Sequence, residues 1–523
     1  MSQQKVPRKS GLFGGLLFLY VGLVFLLAKA GYLSDAWRFI GRYWPLLLIL
    51  AGIAKTVEYL TGGASKLFRW GEVFLVLLLI LFGQIINKAA PFLDSLPKII
   101  DWERGSLSVQ SLFREPFSFP EERIVELKPE TVLSIHNRRG DISVIPASGG
   151  PTRIRIQRQA FADSEEEAKR AADKIQPSIV QEGDQTRITV DPPEGTRAHL
   201  EILAPSQSTL LLDSGNGDIK AEGFSGKAHT FRCQHGKIQI SGLTGEVNAS
   251  NQNGRIQAEN LTGAATLNTS HGSLTAREIR GDLTVGNESG SSELSDIKGN
   301  VLVRSDHGSV AVFKAGGKVD IVAPQSKIIL EEVQGPVLIE SSHREVRLTR
   351  IASAVEVKQK YGSLRLERIV GAAKAILEHT ELNGFDLQAG LQVEAEYSEI
   401  HLEKTAGLIH IRNRLKPVTI EEFNSAIQVE NENASVYLIS SESVQQPVQV
   451  RTDHGKIEFL QPENSRFRLA ASTQSGRIVC EFPDLQPARS ERNQKNLQGE
   501  LGKGGPLVTL ESNQGSIWIK KKS

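Results

Sequence analysis

The fold is decided by three consecutive stretches of eighteen residues, GKIQISGLTGEVNASNQN (236–253), GRIQAENLTGAATLNTSH (254–271) and GSLTAREIRGDLTVGNES (272–289). They align without a gap, and the same frame continues to residue 415. We call each unit a coil, name it by its first residue, and count its positions from zero. A fixed period of this length is typical of a repeat protein.

Apolar residues recur at positions two, four, seven, eleven and thirteen of the coil. In coil 236 these are Ile238, Ile240, Leu243, Val247 and Ala249. Over ten coils, forty-seven of the fifty positions are apolar, whereas an apolar content of 40% would place about twenty there by chance. The ninth position is glycine in eight of the ten coils. The repeat is therefore a property of this sequence and not an accident of its composition.

The spacing of these positions predicts two short strands in each coil. Alternation with a period of two is typical of strands, and it puts the apolar side chains on one face. A single coil cannot bury its apolar stripe, so successive coils must stack at about 4.8 Å. The glycines at positions zero and nine fall between the strands, where corners need positive φ or close backbone approach. We predict an all-β single-strand-stack β-solenoid with about 18 residues per coil.

Related Gly-x-Ile units occur on both sides of the regular coils, for example at Gly140, Gly217, Gly455 and Gly515. A charged helix near 163–174 interrupts them and is placed to cap the solenoid, whose ends would otherwise expose unpaired strand edges. The predicted organisation is a transmembrane helical region at 1–90, a linker at 91–130, the N-terminal part and cap at 131–210, regular coils at 211–415, and irregular C-terminal coils at 416–523 with an exposed loop at 484–505.

The first ninety residues contain three apolar runs, 11–28, 43–54 and 73–87. The first has eighteen residues without a charge, close to the roughly 20 that a spanning helix needs. The others can span if flanking residues complete them. We predict about three spans; with a cytoplasmic N-terminus these put the solenoid on the extracytoplasmic side of the inner membrane. The alternative is a cleaved signal peptide, because Ala28-Lys29-Ala30 has a small-x-small pattern.

Two resemblances follow from these residues. The pattern around Gly11-Leu-Phe-Gly-Gly, Gly31-Tyr-Leu and Tyr43-Trp-Pro-Leu-Leu-Leu resembles the transmembrane region of LiaF-like bacterial envelope proteins. The Gly-x-Ile units, with the upstream stretch 210–219 (LLLDSGNGDI), resemble the bacterial putative-adhesin (toastrack-like) β-solenoid domain of unknown function. That resemblance implies a solenoid attached to a membrane region and brings no catalytic residues with it.

Composition and motifs exclude several functions. The 61 basic and 60 acidic residues leave a net charge of +1, which excludes a strongly electrostatic nucleic-acid binder. Two cysteines exclude a disulfide framework and a thiolate zinc cage. No zinc-protease, phosphate-loop or nucleophile-elbow motif is present, so we predict no enzyme activity and no cofactor.

Histidines recur every thirty-six residues, just before alternate coils: His235, His271, His307, His343 and His379. Neighbours two coils apart lie about 9.6 Å from each other, too far to share a metal ion. A corner position that tolerates turn conformations explains the ladder without a ligand. A row of groups that titrate near pH 6.5 is the other interpretation.

These features predict a non-catalytic, membrane-anchored β-solenoid of the bacterial cell envelope. It would act in adhesion, scaffolding or envelope-stress sensing. Its partners would be the lipid bilayer, through the N-terminal helices, and an envelope protein or glycan; the sequence leaves the oligomeric state open. The alternative is a membrane-displayed polysaccharide-active β-helix enzyme, which a pair of acids in a groove along the rod would favour.

Overall fold

A computed structural model describes residues 117–147, 151–485 and 495–522. The apolar runs of the first ninety residues, and with them the predicted spans, lie outside the described residues. Among the described residues, no helix is long and apolar enough to cross a membrane.

The N-terminal part contains nine strands and one helix, which are β1 (Phe117–Val125), β2 (Val132–Arg139), β3 (Ile142–Pro146), β4 (Thr152–Ala160), α1 (Glu165–Ala172), β5 (Ser178–Glu182), β6 (Gln185–Val190), β7 (Thr196–Ala204), β8 (Thr209–Asn216) and β9 (Ile219–Glu222). The first regular coils contain β10 (Ala228–His235), β11 (Ile238–Ser241), β12 (Glu246–Asn253), β13 (Ile256–Leu261), β14 (Ala265–His271), β15 (Leu274–Ile279), β16 (Leu283–Ile297), β17 (Val301–Ala315), β18 (Val319–Ala323), β19 (Gln325–Val333), β20 (Val337–Ser341) and β21 (Arg344–Ile351).

The later coils contain β22 (Val355–Gln359), β23 (Gly362–Ile369), β24 (Ala373–Glu378), β25 (Thr380–Leu387), β26 (Leu391–Glu396), β27 (Ile400–Arg414), β28 (Val418–Glu421), β29 (Asn424–Glu432), β30 (Val436–Ile439), β31 (Val448–Thr452) and β32 (Ile457–Pro462). The C-terminal part contains β33 (Phe467–Thr473), β34 (Ile478–Cys480), a 3₁₀ turn (Pro483–Leu485), β35 (Asn496–Leu501), β36 (Leu507–Ser512) and β37 (Ile517–Lys522).

Each regular coil adds one strand to each of two parallel stacks. Stack A contains the strands at positions two to seven, such as β11, β13 and β15; stack B contains the strands at positions eleven to sixteen, such as β12, β14 and β20. The register advances by one coil at each step, so that Ile256 lies between Ile238 and Leu274. Strands β16, β17 and β27 run through a corner and belong to both stacks. The predicted all-β solenoid with an eighteen-residue period is confirmed.

The inward columns form one continuous core. Ile256, Leu274 and Val310 are 0%, 1% and 0% exposed, as the predicted orientation requires. Three inward positions are not apolar, Ser292, Gly384 and Thr405, and both polar side chains among them are paired inside the core. Ser292 accepts a hydrogen bond from Asn287 Nδ2 (3.1 Å), and Thr405 Oγ1 accepts one from Ser425 Oγ (2.8 Å). A buried polar group without a partner would be costly, so these pairs preserve the repeat where the apolar pattern fails.

The corners use two different backbone solutions. At the ninth position of coil 272, a Cβ on Gly281 would lie 2.2 Å from the carbonyl oxygen of Gly263 in the coil below. The glycine is therefore needed for close backbone approach. Positive φ occurs at corner glycines, for example Gly245 (112°) and Gly254 (148°), as the sequence predicts. It also occurs at position six, on non-glycine residues of ten consecutive coils: Asn260, Glu278, Asp296, Lys314, Glu332, Arg350, Arg368, Asp386, Lys404 and Glu422. The sequence pattern predicts positive φ only at the corner glycines, because the residue types at position six vary and carry no signal of a left-handed conformation.

The chain is interleaved at both ends of the solenoid. At the N-terminal end, β2 lies between β6 and β8, and β3 lies between β7 and β9. At the C-terminal end, β36 lies between β31 and β33, and β37 lies between β32 and β34. The end coils are thus completed by segments that are not adjacent in sequence, which explains why the eighteen-residue spacing breaks there.

Antiparallel strands and a helix cover the N-terminal edges. Strand β5 pairs with β6, and β4 joins β1 to β7, all antiparallel. Helix α1 begins after Ser164, whose side chain accepts a hydrogen bond from the Glu167 backbone N–H, and it buries Ala168 and Ala172. Native edges are commonly blocked in this way. The predicted helix lies where it was expected, with slightly shorter bounds.

The C-terminal end differs from the prediction of an exposed loop at 484–505. This range contains β35, which pairs antiparallel with β33 and buries Leu497 and Leu501. Only two leucines alternate there among polar residues, so the strand signal is too short to recognise without its pairing partner. Residues 486–494 of the predicted loop lie outside the described residues.

Candidate ligand-binding groove

The outward side chains of stack B form one face of the solenoid. Alternation puts positions eleven, thirteen and fifteen inside, so that positions twelve, fourteen and sixteen face outward. Two hollows occur on this face. The first, of about 330 Å³, spans coils 236–290 around Gly286; the second, of about 720 Å³, spans coils 326–416 around Ile376. We call the whole surface the groove face.

The first hollow exists because one outward position has no side chain. A Cβ on Gly286 would lie 2.4 Å from Asn268 Oδ1, so the amide of the preceding coil reaches into this space. Glu288, Arg304 and Asp306 complete the walls. Small polar groups and a few charges make this a surface suited to hydrogen bonding with a polar chain, such as a glycan or an extended peptide.

The second hollow is lined by rows of alternating charge. Lys358 and Lys360 are followed along the solenoid by acidic residues, then by Arg412 and Arg414, and then by Glu430 and Glu432. Several of these charges form ion pairs between neighbouring coils: Lys360 with Glu378 (3.4 Å), Arg414 with Glu396 (3.3 Å) and Arg412 with Glu430 (3.2 Å). Exposed pairs of this kind contribute little to stability. Their regular order instead gives the surface a defined charge pattern.

Three carboxylates of this hollow, Glu378, Glu394 and Glu396, lie on adjacent coils. Glycoside hydrolysis uses two carboxyl groups on either side of the scissile bond, so this cluster is the feature that the enzyme alternative would need. Glu378 and Glu396 are each held in an ion pair, whereas the Glu394 carboxylate accepts one hydrogen bond, from Gln392 Nε2 at 3.4 Å.

A column of buried polar side chains at position fifteen supports the groove from below. Asn251 Nδ2 donates to the Gly236 carbonyl (2.8 Å), Gln359 Nε2 to Arg344 (2.6 Å) and Asn413 Nδ2 to Ser398 (3.0 Å). Their amide oxygens have no hydrogen-bond partner within the described residues. The sequence carried this signal at eighteen-residue spacing, in Asn251, Thr269, Asn287 and Ser305, but polar residues inside an apolar repeat were not expected.

The five predicted histidines lie on one exposed corner column, at the rim of the groove face, with other residues in the alternate coils. In the early coils His271 and His307 are separated by Ser289, and His235 is within 3.4 Å of Asn253 Nδ2. In the later coils the column becomes aromatic. His343, Tyr361, His379 and Tyr397 stack with ring centroids 4.9, 5.2 and 4.5 Å apart.

This aromatic ladder presents ring edges, with imidazole nitrogens and phenol hydroxyls, along the rim of the second hollow. Each stacked pair contributes about 0.5–1.5 kcal/mol beyond its buried area. The eighteen-residue frame already places Tyr361 and Tyr397 at the same corner position as the histidines, and the structure adds that their rings stack on those of His343 and His379. In the described part of the chain, no three His, Cys, Asp or Glu side chains approach closely enough to hold a metal ion.

The buried titratable groups are structural. His229 is 1% exposed, accepts a hydrogen bond at Nδ1 from the Leu210 backbone N–H (3.3 Å), and donates from Nε2 to the Thr244 carbonyl (3.2 Å). Burial lowers the pKa of His229 and keeps it neutral. Burial also raises the pKa of the Cys233 thiol to about 11, which makes it a poor nucleophile.

Comparison with known proteins identifies the N-terminal region. Residues 12–55 match the LiaI-LiaF-like transmembrane region, which confirms the predicted resemblance and makes the chain a membrane protein. No curated protein matches the sequence.

The chain is also similar to solved structures. A putative cell adhesion protein from Clostridium sporogenes ATCC 15579 is 9% identical, with a TM-score of 0.14, over 78% of this chain and 100% of that chain. A putative adhesin from Bacteroides fragilis NCTC 9343 is 12% identical, with a TM-score of 0.18, over 49% and 97%. One from Parabacteroides distasonis ATCC 8503 is 10% identical, with a TM-score of 0.16, over 62% and 97%. The chain joins a LiaI-LiaF-like transmembrane region to a β-solenoid with about eighteen residues per coil.

Proposed function

We propose that this protein is a non-catalytic, membrane-anchored β-solenoid of the bacterial cell envelope that binds an envelope protein or glycan along its groove face. Adhesion, scaffolding and envelope-stress sensing are the roles that such binding would serve. The observation that supports the proposal is the pair of open hollows on stack B, where outward side chains recur at a spacing of about 4.8 Å. A linear ligand laid along the solenoid would meet equivalent polar groups in successive coils.

In this proposal residues 1–90 form about three spans in the cytoplasmic membrane, 91–130 link them to the solenoid, and 131–523 lie on the extracytoplasmic side. The cap and first coils occupy 131–210, the regular coils 211–415 and the irregular coils 416–523. A reporter fused at residue 523 tests the orientation. Alkaline phosphatase activity supports it; activity of a cytoplasmic reporter at the same position excludes surface adhesion and glycan binding.

Binding is tested by filling the first hollow. Gly286→Trp puts a large side chain where the structure has none, and Gly286 has no positive φ that would strain the substitution. The matched control is Ser295→Trp on the same strand, which faces outward from stack A. Binding of the full chain in detergent to soluble peptidoglycan fragments and cell-surface polysaccharides should weaken at least about tenfold in Gly286→Trp alone. Equal binding by both variants would remove the groove from the proposal.

The second candidate is a polysaccharide-active enzyme, which the cluster of Glu378, Glu394 and Glu396 favours. The test is release of reducing ends from the same polysaccharides by the wild-type chain and by Glu394→Gln. Turnover by the wild type that is lost in Glu394→Gln supports the enzyme. Binding without product supports the non-catalytic function.

A further inference from the structure

Exposed apolar side chains concentrate around the second hollow. The described residues expose eight large hydrophobic side chains, and four of them, Tyr361, Val370, Tyr397 and Leu408, belong to the coils from 344 to 398. Tyr361 and Tyr397 lie in the aromatic ladder, and Val370 and Leu408 lie at the opposite corner, where the chain passes between stacks A and B. Concentration of such residues on one surface is typical of a protein–protein contact.

The charges on this surface are ordered so that a second copy of the same column, turned end to end, would place each acidic residue opposite a basic one. Position fourteen of five successive coils holds Glu340, Lys358, Ile376, Glu394 and Arg412, which is acid, base, apolar, acid, base. Glu340 and Lys358 make no hydrogen bond or ion pair within the described residues, and Glu394 accepts only the long bond from Gln392. Their charges are therefore available to another molecule.

We propose that a second copy of this chain docks on the second hollow. This rests on the proposed function, because it identifies a partner for the same groove face. The two solenoids are antiparallel and are related by a two-fold axis that is parallel to the strands and passes through Ile376. Lys358 then faces Glu394 of the second copy, Glu340 faces Arg412, and Ile376 faces itself. A two-fold interface uses the same patch on both copies, so each favourable contact occurs twice.

The column at position sixteen and the aromatic rim fit the same axis. At position sixteen Lys360 faces Glu396 of the second copy, and on the rim Tyr361 faces Tyr397. Two residues meet their own like-charged counterparts on the axis, Lys374 and Glu378. Glu378 is already neutralised by Lys360 of its own chain (3.4 Å).

The size of the surface predicts a weak dimer. Five coils at about 4.8 Å and a strand width of about 20 Å give roughly 500 Å² per copy, below the roughly 800 Å² of a standard interface. The charged residues between the two apolar rims would fix the register of the two copies more than they would raise the affinity of the dimer. Antiparallel pairing places the N-terminal ends of the two solenoids at opposite ends of the pair, which suits copies anchored in facing membranes. Many weak contacts between two membranes add up to stable adhesion.

Charge exchange in the full chain tests the proposal. Lys358→Glu and Glu394→Lys each turn two attractive contacts into two repulsive ones, whereas the double variant and an equimolar mixture of the two single variants restore attraction. Self-association of the full chain in detergent is measured by sedimentation over a concentration series at low salt. Each single variant should raise the dimer dissociation constant at least about tenfold, and the double variant and the mixture should return within about threefold of wild type.

If the mixture associates like the wild type, misfolding is excluded as the cause of weak association in the single variants, because the mixture contains only those two proteins. Three results overturn the proposal: a wild type that stays monomeric, association that no variant changes, or single variants whose loss neither the double variant nor the mixture repairs. Gly286→Trp is the control for the proposed function, since it fills the first hollow and should leave self-association unchanged. If the chain does not self-associate but Gly286→Trp still weakens glycan binding, the proposed binding function of the groove face is kept and only the proposal of a second copy as partner is rejected.

Discussion

The C-terminal strand is fastened by an ion pair whose contribution can be measured. Lys522 Nζ donates to Glu422 Oε1 (2.6 Å), a residue one hundred positions earlier, and Ser441 donates to the same carboxylate from Oγ (2.7 Å) and from its backbone N–H (3.0 Å). These donors, Lys522 first, lower the pKa of Glu422 from 4.5 to about 2. Because β37 is an inserted strand, this contact stabilises the interleaved end of the solenoid.

The free energy that these contacts contribute to stability follows from the shift in the pKa of Glu422. A fall from 4.5 to about 2 corresponds to about 3 kcal/mol, at about 1.4 kcal/mol for each tenfold change in proton affinity. The Glu422 and Lys522 side chains are 31% and 30% exposed, so solvent screening reduces this to about 1–2 kcal/mol. The folded-state pKa is the lower one. The stabilisation is therefore fully present above pH 4.5 and is lost as the pH falls towards 2.

Glu422→Gln should accordingly speed hydrogen exchange of the β37 amides by about five- to thirtyfold at pH 6, relative to their intrinsic rates, and the difference should disappear near pH 2. The matched control is Glu463→Gln, which removes the partner of the neighbouring Lys521; Glu463 is 78% exposed and should matter less. Equal exchange in the two variants, or a Glu422→Gln effect that does not change with pH, would refute this account of the C-terminal strand.

Three further predictions concern the core, a corner and the rim. Gly281→Ala should lower the free energy of unfolding by about 1–3 kcal/mol because its Cβ would meet the backbone of the coil below, while Ser353→Ala, at the same position of another coil, should be nearly neutral in the same denaturant titration. Because burial lowers the pKa of His229, stability should fall as the pH drops below 6.5, and His229→Leu should flatten this part of a plot of melting temperature against pH; an unchanged slope contradicts the role of His229. Tyr397→Ala should cost about 0.5–1.5 kcal/mol through loss of stacking on His379, and Tyr397→Phe should cost almost nothing; equal losses would show that the ring stack is not the cause.

The regular coils were predictable because their inward columns repeat within the chain itself. Positions two and four, then eleven and thirteen, alternate with a period of two, and a uniform eighteen-residue frame leaves one way to pair successive strands. The C-terminal region was less predictable, because the alternation of Leu497 and Leu501 is too short to recognise alone and gains meaning only from its pairing with β33.

The candidate site was predictable only in part. The histidine column follows from a thirty-six-residue spacing, and the same frame puts Tyr361 and Tyr397 in it; the stacking of their rings at about 5 Å is visible only in the structure. The groove face depends on outward residues, which carry no apolar signal. Gly286 is an ordinary strand glycine in the sequence, and only its place among the side chains of neighbouring coils makes it the base of a hollow.

The period, the two strands of each coil and the side chains that face inward could all be derived from the residue pattern, because burial of apolar groups at fixed spacing is a local and repeated requirement. The interleaved ends, the positive-φ column at position six and the two hollows of the groove face follow only from the three-dimensional arrangement of the coils. These depend on which coil lies next to which, and on the distance between their backbones, quantities that a residue pattern does not contain.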